Sequence, residues 1–153
     1  MKYLLVVDLQ QDFVKDAKGK AVYTKCLDFI SKHTMDYHAI IAPVFVQNLD
    51  ENINFARFVD YDGCLEYTPL DFTPDKVVYH SGYSGYSSDF KIDDNVDVIG
   101  FDTDACVLST CFDLFNHNVN FNILTDYCYS SGGAEMHKVG LTVMKRQFGK
   151  AVI

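Results

Sequence analysis

The feature that most constrains this chain is a set of near-continuous apolar runs separated by stretches of helical period. "YLLVV" (3–7) and "AIIAPVFV" (39–46) are apolar at almost every position. A strand with one wet face alternates apolar and polar residues, so runs of this kind must be covered on both faces. A parallel sheet held between two helical layers provides that cover. The spacing predicts strands at "KYLLVVDL" (2–9), "HAIIAPVFVQ" (38–47), "KVVYH" (76–80), "NVDVIGF" (95–101) and "NFNILTD" (120–126). Helices are expected at "TKCLDFISKH" (24–33), "DACVLSTCFDLFNHN" (104–118) and "GAEMHKVGLTVMKRQFG" (133–149), with "KAVI" (150–153) read as a short further strand. The expected fold is α/β, a doubly wound three-layer α/β/α sandwich on a parallel sheet of five to six strands. Residues 48–74 lack a strong period, and so long a connection is expected to be functional or partly helical.

At 153 residues the chain is expected to form one domain over 1–153, burying roughly two-thirds of its unfolded surface. A net charge of −8 without a basic cluster argues against nucleic acid as a partner. The first apolar run is too short to span a membrane and precedes no signal-type cleavage pattern, so a cytoplasmic location without membrane attachment is expected. The five cysteines are odd in number and contain no C-x-x-C pair, and they are read as thiols rather than a disulfide framework. The five histidines show neither H-x-H nor H-x-x-x-H spacing, so no metal site is written locally and no cofactor is expected.

Ligands of open α/β sheets bind beyond the carboxyl ends of the strands. The residues there are Asp8, then Gln47 and Asn48, then His80, then "DTDAC" (102–106), then Asp126. An acid, an imidazole and a thiol could therefore share one crevice. Asp8 ends the most hydrophobic strand, where a carboxylate acts either as a loop hydrogen-bond acceptor or as an acid–base group tuned by burial.

In the helix that follows "DTDAC", Val107, Leu108, Cys111, Leu114 and Phe115 recur at the spacing of a buried face. Cys106 lies at the start of this face. With Thr103 or Asp104 as the N-cap, it falls in the first turn, where unpaired N–H groups and the helix dipole lower a thiol pKa from about 8.5. It is then a nucleophile whose oxyanion the same turn could hold, or a buried structural thiol; position alone leaves both open. Cys111 is read as core.

"VVDLQQDF" (6–13), "HSGYSGY" (80–86) and "GFDTDACVLSTC" (100–111), in this order, resemble the isochorismatase-like cysteine hydrolase family. "NFARFVDYDG" (54–63) and "GLTVMKRQFG" (140–149) extend the likeness over nearly the whole length. The resemblance implies a Rossmann-like sandwich and an Asp–Lys–Cys triad that hydrolyses amide-type bonds of small molecules. By motif, Asp8 matches the aspartate and Cys106 the nucleophile. It further implies a cis peptide between Phe101 and Asp102, which would turn the Asp102 N–H toward that of Cys106 as an oxyanion hole. The triad lysine stands three residues before a tyrosine; counted back from Tyr83 that register falls on His80, with Lys76 four residues too early. The family's metal-binding members carry an aspartate and histidines after the second strand, whereas this chain has "VQNLDENINF" (46–55).

These expectations combine into a small-molecule amidohydrolase with Asp8, His80 and Cys106 catalytic and the Asp102 and Cys106 N–H groups as oxyanion hole. Phe13, Phe55, Tyr83 and Tyr86 are the expected pocket walls, and the family's habit of assembling points to a homo-oligomer. The alternative is a catalytically impaired member that binds a ligand or partner. A peroxide-sensing Cys106–Cys111 pair ranks last, because two thiols at this helical spacing reach disulfide geometry only with distortion.

Overall fold

Five parallel strands form the centre of the computed structural model, which describes residues 1–59 and 69–153. They are β1 (Lys2–Val7), β2 (Ala39–Phe45), β3 (Lys76–His80), β4 (Asn95–Phe101) and β5 (Asn120–Tyr129), in the order β3-β2-β1-β4-β5. Among the described residues, helices α1 (Ala17–His33) and α2 (Cys106–Asn116) connect β1 to β2 and β4 to β5, and α3 (Gly133–Phe148) follows β5. The period of two along β1 decides which layer each residue meets. Leu4 and Val6 pack with Tyr23, Cys26 and Ile30 of α1, while Leu5 and Val7 pack with Val107, Cys111 and Leu114 of α2 and Met144 of α3. The result is the expected three-layer α/β/α sandwich.

Strand order reverses between β1 and β4, and this switch point places the segments after both strands at one crevice. Backbone crowding is acute there. Gly100 has φ +126°, and a Cβ on it would lie 2.0 Å from the Val7 carbonyl oxygen, so only glycine fits. The β4–β5 register shifts between Val98 and Gly100.

The structure differs from the sequence reading in several places. α1 begins at Ala17, well before residue 24, because the Asp16 carboxylate accepts the Gly19 N–H at 2.6 Å and caps it. β5 runs to Tyr129, so Asp126 is not at a strand end; its side chain is 83% exposed and pairs with Lys25 at 3.3 Å. Ser130 and Ser131 take its expected place. The closing "KAVI" contributes a turn at Gly149–Ala151 and a single parallel bridge from Val152 to Ile123, leaving a five-stranded sheet. Phe115 is 56% exposed, and Thr110 instead joins the buried row of α2. Within 48–74, Phe55–Val59 forms a turn of π-helix. Cys26, Cys106, Cys111 and Cys128 are buried free thiols; Cys64 lies outside the described residues. Among the described residues, no helix is long and apolar enough to cross a membrane.

Candidate active site

Asp8 follows β1 directly, with φ +45° and no solvent exposure. Its N–H donates to the Pro43 carbonyl at 3.0 Å. Two residues on, the buried Gln10 accepts the Phe45 N–H at 2.8 Å and donates to the Phe45 carbonyl at 3.0 Å, pinning this turn to the end of β2. The Asp8 carboxylate is thereby fixed beneath the crevice. His80, the last residue of β3, reaches across β2 to place Nε2 2.7 Å from Asp8 Oδ1. Its Nδ1 lies 2.9 Å from the Gly82 carbonyl oxygen. Both ring nitrogens thus face an acceptor, whereas a neutral imidazole carries one N–H.

Cys106 is the first residue of α2, and the N-cap is Ala105, not Thr103 or Asp104. Those two side chains are engaged elsewhere: Thr103 Oγ1 lies 2.7 Å from His137 Nδ1, and Asp104 accepts the Ser130 hydroxyl at 2.5 Å. The Phe101–Asp102 peptide is cis. The Ala105 and Val107 N–H groups close onto the Asp102 carbonyl, while among the described residues neither Asp102 N–H nor Cys106 N–H joins a backbone hydrogen bond. Across the crevice, Gly85 N–H donates to Thr110 Oγ1, which donates to the Cys106 carbonyl, tying the loop after β3 to α2.

The sequence reading that a helix N-terminus lowers this thiol's pKa is overturned. Burial pushes the Cys106 thiol well above its ordinary value, and the neighbouring Asp8 carboxylate, then Asp102, push it the same way; only the Asp102 N–H opposes them. Helix-end stabilisation is worth about 0.3–1 kcal/mol, whereas full burial moves a group by up to about 3–5 pKa units. Cys106 therefore rests as a thiol. Asp8 Oδ2, on the other carboxylate oxygen from His80, has no partner of ordinary hydrogen-bond geometry.

A cavity of about 270 Å³ opens above the thiol, lined by Phe13, Phe45, Phe55, Tyr83, Asp102 and Cys106, with Val59, Ala105 and Ser131 completing it. Phe45 to Phe55 and Phe55 to Tyr83 ring centroids stand 5.3 and 5.1 Å apart, forming one aromatic wall. Phe13, Phe55 and Tyr83 lie where the sequence put them. Tyr86 does not line this cavity: it stacks on His117 with ring centroids 4.4 Å apart. Phe45 and Ser131 were missed, the first because it reads as strand core, the second because β5 is longer than its pattern. Ser131 holds Asp102 through its N–H at 2.7 Å and its hydroxyl at 2.5 Å. Burial raises the Asp102 carboxyl to about 6 despite those two bonds.

Residues 2–153 match the family model described as the isochorismatase domain. The nicotinamidase/pyrazinamidase of Mycobacterium tuberculosis is 27% identical over 82% of this chain and 85% of its own. Pyrazinamidase/nicotinamidase from Streptococcus mutans superposes with a TM-score of 0.79 at 18% identity, covering 100% of both chains. The pyrazinamidase of Pyrococcus horikoshii, solved in complex with zinc, gives 0.70 at 19% identity over 99% of this chain and 96% of that one. Asn48 and Glu51 stand beside His80, both of whose ring nitrogens are already engaged, and among the described residues no three His, Cys, Asp or Glu side chains converge. With a domain match spanning residues 2–153, this chain belongs to the isochorismatase-like family.

Proposed function

We propose that the chain is a cysteine hydrolase that cleaves the C–N bond of a small amide. The observation supporting this most directly is the Asp8 carboxylate, held by His80 at 2.7 Å and acting as the negative neighbour of Cys106, whose thiol lines an aromatic cavity. In the proposed cycle Asp8 Oδ2 takes the Cys106 proton as sulfur attacks the amide carbon. The Asp102 and Cys106 N–H groups hold the oxyanion. Collapse breaks the C–N bond as Asp8 returns the proton to the leaving nitrogen, giving a thioester. Asp8 then takes a proton from water, the hydroxide attacks the thioester, and the thiolate recovers the proton as the acid departs. His80, hydrogen-bonded to Asp8 Oδ1, stands in the register that the resemblance assigns to a lysine and orients the carboxylate. No step is routed through a metal.

A second reading, a family member that binds without turnover, is favoured by the raised Cys106 thiol and by His80 in the lysine register. The two separate in one experiment. Purified protein is incubated with a panel of primary amides beginning with nicotinamide; ammonia release is measured and the acyl-enzyme is sought by intact mass after acid quench. Turnover that Cys106→Ala abolishes supports the hydrolase. Absence of both ammonia and acylation across the panel supports the binding protein. A cytoplasmic location and a homo-oligomer are part of the proposal, the latter supported by Phe112 and Phe115, which stay exposed beside Phe148.

A further inference from the structure

Among the described residues lining the cavity, Asp102 is the one that carries a charge, and its surroundings are unfavourable for a carboxylate. Among the described residues no lysine or arginine pairs with it, and the charges acting on it, Asp104 and Asp8, are of its own sign. Its two hydrogen bonds from Ser131 occupy two of about four acceptor positions on a carboxylate. Its charge also hinders the chemistry, since it helps hold the Cys106 thiol protonated. Phe45, Phe55 and Tyr83 line the same cavity as Asp102, and aromatic rings attract cations.

From this arrangement we infer that the cavity selects a small amide bearing a positively charged nitrogen, an ammonium or an N-alkylated ring, seated between Asp102 and the aromatic wall. Such a substrate supplies the charge that the described protein residues do not. Once seated, it neutralises Asp102 and removes one of the influences that keep Cys106 protonated, so the nucleophile is activated only when the correct ligand is present. This specificity rests on the hydrolase reading for its biological meaning, but the cation preference of the cavity does not.

The test uses Cys106 as the reporter. Wild-type protein, Asp102→Asn and Asp126→Asn are exposed to methanethiosulfonates carrying a trimethylammonium, a neutral ethyl or a sulfonate group. Rates are read by mass spectrometry on the Cys106 peptide and normalised to those of 2-mercaptoethanol. The expected result is a roughly tenfold cation-over-neutral preference in wild type, lost in Asp102→Asn. It persists in Asp126→Asn, which removes an exposed acid that does not line the cavity and so controls for net charge. Equal normalised rates in wild type, or an unchanged preference in Asp102→Asn, overturn the inference. Protection of wild-type Cys106 by the N-methylpyridinium counterpart of nicotinamide, compared with nicotinamide itself, gives the same answer without a variant: stronger protection by the cation is expected, and equal or weaker protection overturns it. Ammonia release from that pair separates the two proposals. Charge preference without turnover of any amide leaves the cation site and removes the hydrolase, whereas faster turnover of neutral nicotinamide leaves the hydrolase and removes the cation site.

Discussion

At the scale of single residues, the position of Cys106 was legible and its ionisation was not. A polar cluster after an apolar run marks a strand end, so Asp8, His80 and Cys106 could be picked from the sequence. What sets the thiol's proton affinity is burial and the Asp8 charge, both delivered by distant segments. A paired prediction follows for Asp8→Asn. Alkylation of Cys106 by iodoacetamide at pH 8 rises, because the negative neighbour is gone, while amide turnover falls by at least about a hundredfold through loss of the general base. Parallel loss of both would show that Asp8 acts by organising the site rather than by moving protons. Asp102 yields a pH prediction. Its carboxyl moves from 3.8 to about 6 on folding, so between those values the folded chain binds more protons than the unfolded chain. Stability therefore declines as pH rises through this window, by an amount of order 2–3 kcal/mol, and the deficit persists above it. Thermal melts of Asp102→Asn should exceed wild type at pH 8 and converge with it near pH 4.

Elements were read well where one period held from end to end and poorly where a distant contact set the boundary. β3 and β4 coincide with "KVVYH" and "NVDVIGF", whose flanking residues are polar. β5 overruns its pattern because the shift opposite Gly100 lets Cys128 and Tyr129 pair with Gly100 and Phe101. That extension carries Ser131 to Asp102, a pairing 29 residues apart that no local motif announces. The "DTDAC" turn is held from behind by α3. A Cβ on Gly140 would stand 2.8 Å from the Thr103 carbonyl carbon and 2.9 Å from the Asp104 nitrogen, both backbone atoms that cannot swing aside. Gly140→Ala should therefore displace the turn, costing roughly 1–3 kcal/mol. It should also slow methanethiosulfonate capture of Cys106 even where the protein remains folded by circular dichroism. Unchanged capture in a folded variant would mean that the turn holds its geometry without α3.

Over the whole molecule, the two faces of the sheet build the core, one against α1 and the other against α2 and α3, and an aromatic cluster on α2 stays outside it. Phe115 fits the spacing of the buried face of α2 yet is 56% exposed, and Phe112 beside it is 37% exposed. Both rings pack on Phe148, at 5.0 Å from Phe112 and 5.9 Å from Phe115, and Phe121 completes the cluster at 5.4 Å. Contiguous exposed aromatics backed by core are what a protein–protein contact presents when its partner is removed. This face lies along the outer side of α2, while the cavity opens at that helix's first residue, so assembly through it and access to Cys106 are compatible. Phe115→Glu should convert a wild-type dimer or larger assembly to monomer in sedimentation velocity at micromolar concentration. Because the side chain is already exposed, monomer stability should change by no more than about 0.5 kcal/mol. A monomeric wild-type protein would remove the oligomer from the proposal and leave the aromatic cluster as a feature of the single chain.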